Sequence, residues 1–311
     1  MKLFSKFPDK EVWGLLAKLL VTLASLYLVS RTVSLDVVGQ LFAHMQIEWF
    51  ALSMVIFLLA QVVSALRCAY VVRALGGDLG LMESIRVHFI GFWFNQVLPT
   101  GFGGDVVKIA LIKKQTGLGV ATRAVVVDRV SGLMILLFML MIQLPLYLVY
   151  LEELHQALWV GLASSIFFFG VVASARFAHY LSGKLAVRGG FRHIMGLLEN
   201  LWLFSERQPL WEQFWTSLVV HVNGIVTFGL IGYSLGLVVD PMLFFLMVPL
   251  VSLVSLLPFS FAGWGLREAS AIWLFPMIGI PPEGALGMSI GFGVLMLIAG
   301  LPGWFAYAIR R

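Results

Sequence analysis

Long apolar runs, separated by short polar stretches, dominate the chain. Six are long enough to cross a bilayer: residues 12–31, 49–72, 124–151, 156–176, 212–236 and 285–308. A hydrocarbon core of about 30 Å takes roughly 20 helical residues at about 1.5 Å each. Backbone groups inside lipid have no water to bond, so each run is predicted to be a helix. Two further apolar regions, 84–116 and 242–280, carry Pro and Gly near their centres. Each reads as a helix, a break and a second helix. The pattern predicts an all-α polytopic membrane protein, with about six spanning helices plus two re-entrant helical hairpins. All of it belongs to a single integral membrane domain over 1–311.

Two segments need separate reading. The N-terminal run has basic flanks but no small-x-small cleavage site, so it reads as the first span rather than as a removed signal. The segment 177–207 is more polar, and within it Ile194, Leu197, Leu198 and Leu201 recur at helical spacing. An interfacial connector on the cytoplasmic face follows.

Charge then orients the pattern. Lys2, Lys6 and Lys10 precede the first run. Arg67, Arg73 and Arg86 are assigned to the connection after the second, and Lys113, Lys114 and Arg123 to the segment before the third. Arg176, Lys184, Arg188, Arg192 and Arg207 fill the connection after the fourth, and Arg310 and Arg311 end the chain. The alternate connections are poor in base: 32–48 has none, and the others offer Glu152, Glu153, Asp240 and Glu283. The positive-inside asymmetry predicts a multi-pass protein of the inner (cytoplasmic) cell membrane, with both termini cytoplasmic. It also makes the hairpin 84–116 enter from the cytoplasm and 242–280 from outside.

Composition narrows the classes. The chain is 60% hydrophobic and 12% charged, which excludes a soluble domain of 311 residues. Its net charge of +5 is scattered over short connections, so no nucleic-acid partner is expected and anionic headgroups are. Cys68 is the sole cysteine and the six His show no paired ligand spacing, so neither a metal nor another cofactor is predicted. A coupling ion stays open.

The candidate chemistry sits in the breaks. The stretch FNQVLPTGFGGDVVK, residues 94–108, puts a proline, three glycines and two charges inside an apolar region. The second break reads LPFSFAGWGLR from Leu257. At an offset of 159, Leu98-Pro99 meets Leu257-Pro258, Phe102 meets Phe261, Gly103 meets Ala262, Gly104 meets Gly263 and Lys108 meets Arg267. Asp105 faces Trp264, and Glu268 supplies the acid instead. Matching breaks with opposite orientation signal an inverted-topology repeat, with a polar pocket between discontinuous helices.

Pro99 removes a donor and ends a half-helix, while Gly101, Gly103 and Gly104 permit close backbone approach. Asp105 opens the next half-helix, either as its cap or beside an anion held there. Lys108 reads as a phosphate contact or as an i,i+3 partner of Asp105. Asp128 and Arg129 lie early in the third run, near the cytoplasmic surface. Neighbours point about 100° apart on a helix, so each needs a partner elsewhere. Arg129 suits a bidentate phosphate contact or a structural staple. Arg267 and Glu268 are the only charges between Asp240 and Glu283. Arg267 reads as an anion contact and Glu268 as its balancing or proton-coupling partner. Asn95 is a softer binding candidate, and His221 and Asn223 read as helix bridges.

The runs FNQVLPTGFGGDVVKIALIKKQTG, AVVVDRVSGL and SLLPFSFAGWGLREA together resemble the transmembrane domain of lysylphosphatidylglycerol synthases. The resemblance covers nearly the whole chain and implies a flippase-like domain that moves lipid between leaflets. It carries function onto Asn95, Pro99, Gly103, Gly104, Asp105, Asp128, Arg129, Gly263, Gly265, Arg267 and Glu268. The chain carries no aminoacyl-transfer domain, so it is expected to be a stand-alone member that does not itself make lysyl-lipid.

No nucleophile–base–orienter set is recognisable, so an enzyme is not expected. The function read here is a flippase for an anionic lipid: a phospholipid, an aminoacyl-phospholipid or a polyprenyl-phosphate-linked lipid. The alternative is a non-catalytic membrane partner of a cell-envelope lipid or glycan synthesis enzyme. A homo-oligomer is left open.

Overall fold

The computed structural model describes residues 9–98, 102–150, 159, 161–170, 172–173, 180, 207–257, 260 and 263–309. Every regular element among them is helical. In chain order they are α1 (Asp9–Thr32), α2 (Leu35–Ala43), α3 (Ile47–Ala74), α4 (Leu81–Val97), α5 (Gly103–Thr116), α6 (Leu118–Ile142) and α7 (Leu144–Tyr150). Then come α8 (Gly161–Gly170), α9 (Arg207–Ser234), α10 (Pro241–Ser255), α11 (Leu266–Leu274), a 3-10 turn (Phe275–Ile278) and α12 (Pro282–Ala308).

Four helices, α3, α6, α9 and α12, are long and apolar enough to cross a membrane. The bent pair of α1 and α2 makes a fifth candidate. The outward faces carry large apolar side chains, such as Leu20 at 68% exposure and Ile166 at 73%. Water would penalise such a surface and lipid would not. The protein is an all-α, multi-pass membrane protein.

The observed boundaries correct three expectations. Residues 32–48, expected as a bare connection, contain α2, set at 85° to α1. Val38 on α2 buries against Val29 of α1, Val33 just after it and Leu286 of α12, which favours a helix over an extended loop. The backbone N–H of Ser34, just before α2, donates to Glu283 Oε1 at 3.3 Å. The third run, expected as one helix over 124–151, stops at Ile142 and restarts at Leu144. Pro145 has no N–H for the carbonyl of Met141, so the ladder is interrupted there. Tyr147 Oη donates to Gln143 Oε1 at 3.0 Å across the interruption. The same helix starts earlier than expected, at Leu118. Asp128 and Arg129 are therefore residues 11 and 12 of its 25, near its middle rather than at its mouth.

Both predicted breaks exist. α4 and α5 flank one, α10 and α11 the other. Pro99, Gly101, Pro258, Phe261 and Ala262 lie outside the described residues, as do the run 156–176 in part and nearly all of the connector 177–207.

Two compact units partition the chain. The first comprises Met1–Val55, Gly91–Gly104 and Ile225–Leu301, and the second Ile56–Ile90, Asp105–Gly224 and Pro302–Arg311. In the first, α11 packs on α1 and α10. Phe228 and Phe275 stack there at 5.6 Å, with Phe244 6.0 Å from Phe275. In the second, Phe138 of α6 meets Phe214 of α9 edge-on at 5.9 Å.

Candidate functional site

The second unit holds a buried polar cluster built by five helices. On α3, Gln61, Ser64 and Arg67 recur one per turn and are all buried. Arg67 Nε donates to Asp128 Oδ1 at 2.7 Å, and its Nη1 donates to Ser217 Oγ on α9 at 2.9 Å. One turn further along both neighbours, His221 Nε2 donates to the carbonyl of Gly132 at 2.8 Å. A single guanidinium thus bridges α3 to α6 and α9, and a histidine closes the same seam. Asn223 Nδ2 adds a bond to the carbonyl of Ile56 at 2.7 Å. His221 and Asn223 are helix bridges, as expected.

The charges of the first break enter the same unit. Asp105, on the first turn of α5, pairs with Arg129 of α6. Asp128 and Arg129, adjacent in sequence, therefore take partners on two different helices. Lys108 does not pair with Asp105 at i,i+3. Lys108 is 7% exposed, and its ammonium donates to His88 Nδ1 of α4 at 3.3 Å. His88 Nε2 in turn meets Gln61 Oε1 at 3.0 Å. An amide oxygen only accepts, so the ring carries its proton on Nε2 and offers a lone pair to the lysine.

Asn95, Gly103 and Gly104 belong to the first unit. Asn95 Oδ1 accepts the backbone N–H of Gly104 at 2.8 Å. A side chain on α4 thereby satisfies one of the donors left open where α5 begins. A Cβ on Gly104 would stand 1.9 Å from the carbonyl oxygen of Gly91. This close approach of the two half-helices explains a glycine that the turn alone does not require.

Arg267 and Glu268 meet each other in the first unit, on the first turn of α11. Arg267 Nη2 lies 2.7 Å from Glu268 Oε1, and Ser289 Oγ donates to the same oxygen at 3.0 Å. Glu268 Oε2 accepts from the backbone N–H of Gly265 at 2.6 Å, which caps the helix. The guanidinium also lies over the Trp264 ring, 4.8 Å from its centroid, and Nη1 approaches Met296 Sδ at 3.7 Å. The pair is 5% and 1% exposed, so it is desolvated and self-neutralised.

The aligned breaks differ locally. Gly104 to Val106 is already helix, whereas Gly263 to Gly265 is turn, with φ of 82° and 86° at its two glycines. Val106 carries a Cβ that disfavours positive φ where its counterpart Gly265 has none, so α5 starts sooner after its break than α11 does.

Residues 15–303 match the family described as the lysylphosphatidylglycerol synthase TM region, which is nearly the full length of the chain. The chain belongs to this family. Membership makes it a membrane protein of lipid-related function. No curated protein and no solved structure shows a match to it. Within this synthase-TM-region protein, the motif residues bring Asp105, Lys108, Asp128 and Arg129 into one cluster and Arg267 and Glu268 into one pair. The sequence reading missed Arg67, counted with a connection, together with His88, Gln61, Ser217 and Ser289. The polar positions at 61, 64 and 67 inside an apolar run were the available signal.

Proposed function

We propose that the protein moves an anionic lipid between leaflets of the cell membrane, with both termini cytoplasmic. The observation that supports this is the cluster of Asp105, Lys108, Asp128 and Arg129, at and beside a broken helix within apolar spans. Charges within a membrane are expensive, and a helix interrupted at that depth needs a polar surround. On this reading the headgroup enters beside Arg129, whose side chain stays 34% exposed, and its phosphate passes on to Lys108 while Asp105 keeps its pair with Arg129. Lys108 forms the floor. The acyl chains stay in lipid throughout, and no covalent chemistry is required of any residue. Re-entrant hairpins of opposite orientation, related as an inverted repeat, fit a carrier of this kind.

Proteoliposomes holding fluorescent phosphatidylglycerol test the proposal. Dithionite bleaches only the outer leaflet, so a carrier drives bleaching well past that fraction. Arg129→Gln should slow the late phase while leaving the protein monodisperse. Wild-type vesicles that bleach no further than protein-free ones would remove the reading.

A second reading has its own support. Arg267 and Glu268 neutralise each other, and Asn95 caps a helix, as they would in a non-catalytic partner of an envelope-synthesis enzyme. Co-purification with such an enzyme, alongside zero lipid exchange, would favour it.

A further inference from the structure

Six charged side chains are buried among the described residues: Arg67, Asp105, Lys108, Asp128, Arg267 and Glu268. Five of them have an opposite charge within 4.0 Å. Lys108 does not; its hydrogen-bond partner is the neutral ring of His88 at 3.3 Å. An imidazole lone pair accepts one N–H of an ammonium and cancels none of its charge. Among the described residues, the second unit's cluster therefore holds Arg67, Lys108 and Arg129 against Asp105 and Asp128, three positive charges against two negative.

We infer that this cluster selects a singly charged phosphodiester, with Lys108 as its counter-charge, and rejects lipid whose headgroup carries net positive charge. The inference rests on the carrier reading and specifies its substrate class. One phosphodiester monoanion brings the cluster to neutrality. A zwitterionic choline headgroup leaves the excess in place. A lysyl ester of phosphatidylglycerol, with two ammonium groups on one phosphate, doubles it. Arg129 pairs with Asp105 and Arg67 with Asp128, so the phosphate that reaches Lys108 meets a cation whose charge is not already committed. The family's description points to the aminoacylated lipid, whereas the charge of this cluster points to its anionic precursor class.

Calorimetric titration of the purified full chain, in micelles of uncharged detergent, tests this. The probes are dihexanoylphosphatidylglycerol, its lysyl ester, dihexanoylphosphatidylcholine and inorganic phosphate. The anionic diester should bind at least about tenfold more tightly than the ester or the choline lipid, a factor that a single charge contact supplies. Lys108→Met should lose about tenfold for the diester alone, and Lys108→Arg should restore most of it. Equal affinity for the diester and its lysyl ester overturns the inference, and needs no variant that must fold. Unchanged affinity in a folded Lys108→Met protein overturns it as well. Inorganic phosphate binding as tightly as the diester would assign the site to free phosphate and also overturn it. A wild type that ranks these ligands as stated yet exchanges no lipid removes the carrier reading and leaves the binding site. Equal exchange of the diester and its lysyl ester removes the inference and leaves the carrier.

Discussion

Gly104→Ala tests the packing that holds the first break. An added Cβ would stand 1.9 Å from the Gly91 carbonyl oxygen and 2.5 Å from Asn95 Cγ. A carbon–oxygen contact relaxes at roughly 3.3 Å, so α4 and α5 would have to part by about 1.4 Å. That stretches the 2.8 Å bond from the Gly104 N–H to Asn95 beyond bonding range. The lost bond costs about 1 kcal/mol and the forced repacking about 1–3 kcal/mol. Alanine's helix propensity returns about 1 kcal/mol. The net expectation is destabilisation by about 2 kcal/mol, read from chemical unfolding in mixed micelles. Gly119→Ala is the control, because nothing lies within 4 Å of the new methyl and the position is also helical. Asn95→Ala should cost about 1 kcal/mol, and the double variant less than the sum, since the two share one bond. If Gly104→Ala unfolds like Gly119→Ala, the half-helices do not touch as described.

Three further outcomes follow from the other contacts. Arg67→Met strands the Asp128 carboxylate and should cost about 3–5 kcal/mol in unfolding experiments, while Arg67→Met with Asp128→Leu should recover most of it. Gly265→Ala should destabilise more than Gly279→Ala: both glycines have positive φ, but a Cβ at 265 also lies 2.9 Å from Ser25 Cβ, and one at 279 meets nothing within 4 Å. Glu268→Gln should lower stability by about 1–3 kcal/mol, through the charge-assisted bonds from Arg267 and Gly265 that it weakens; a neutral effect would mean that the pair is solvated.

The apolar runs determined where α1, α3, α6, α9 and α12 form, because hydropathy and helix hydrogen bonding are local. Pro and Gly likewise marked both breaks. The adjacency of Asp128 and Arg129 already required two separate partners, since successive residues on a helix diverge. Which partners they take was decided only by tertiary structure. Asp105 reaches Arg129 across 24 residues, and Asp128 reaches Arg67 across 61. A charge selects whatever opposite charge the packed helices bring within reach, and no local pattern encodes that distance. For the same reason Lys108 forgoes the carboxylate three residues away: Arg129 holds it, while α4 offers Lys108 the ring of His88.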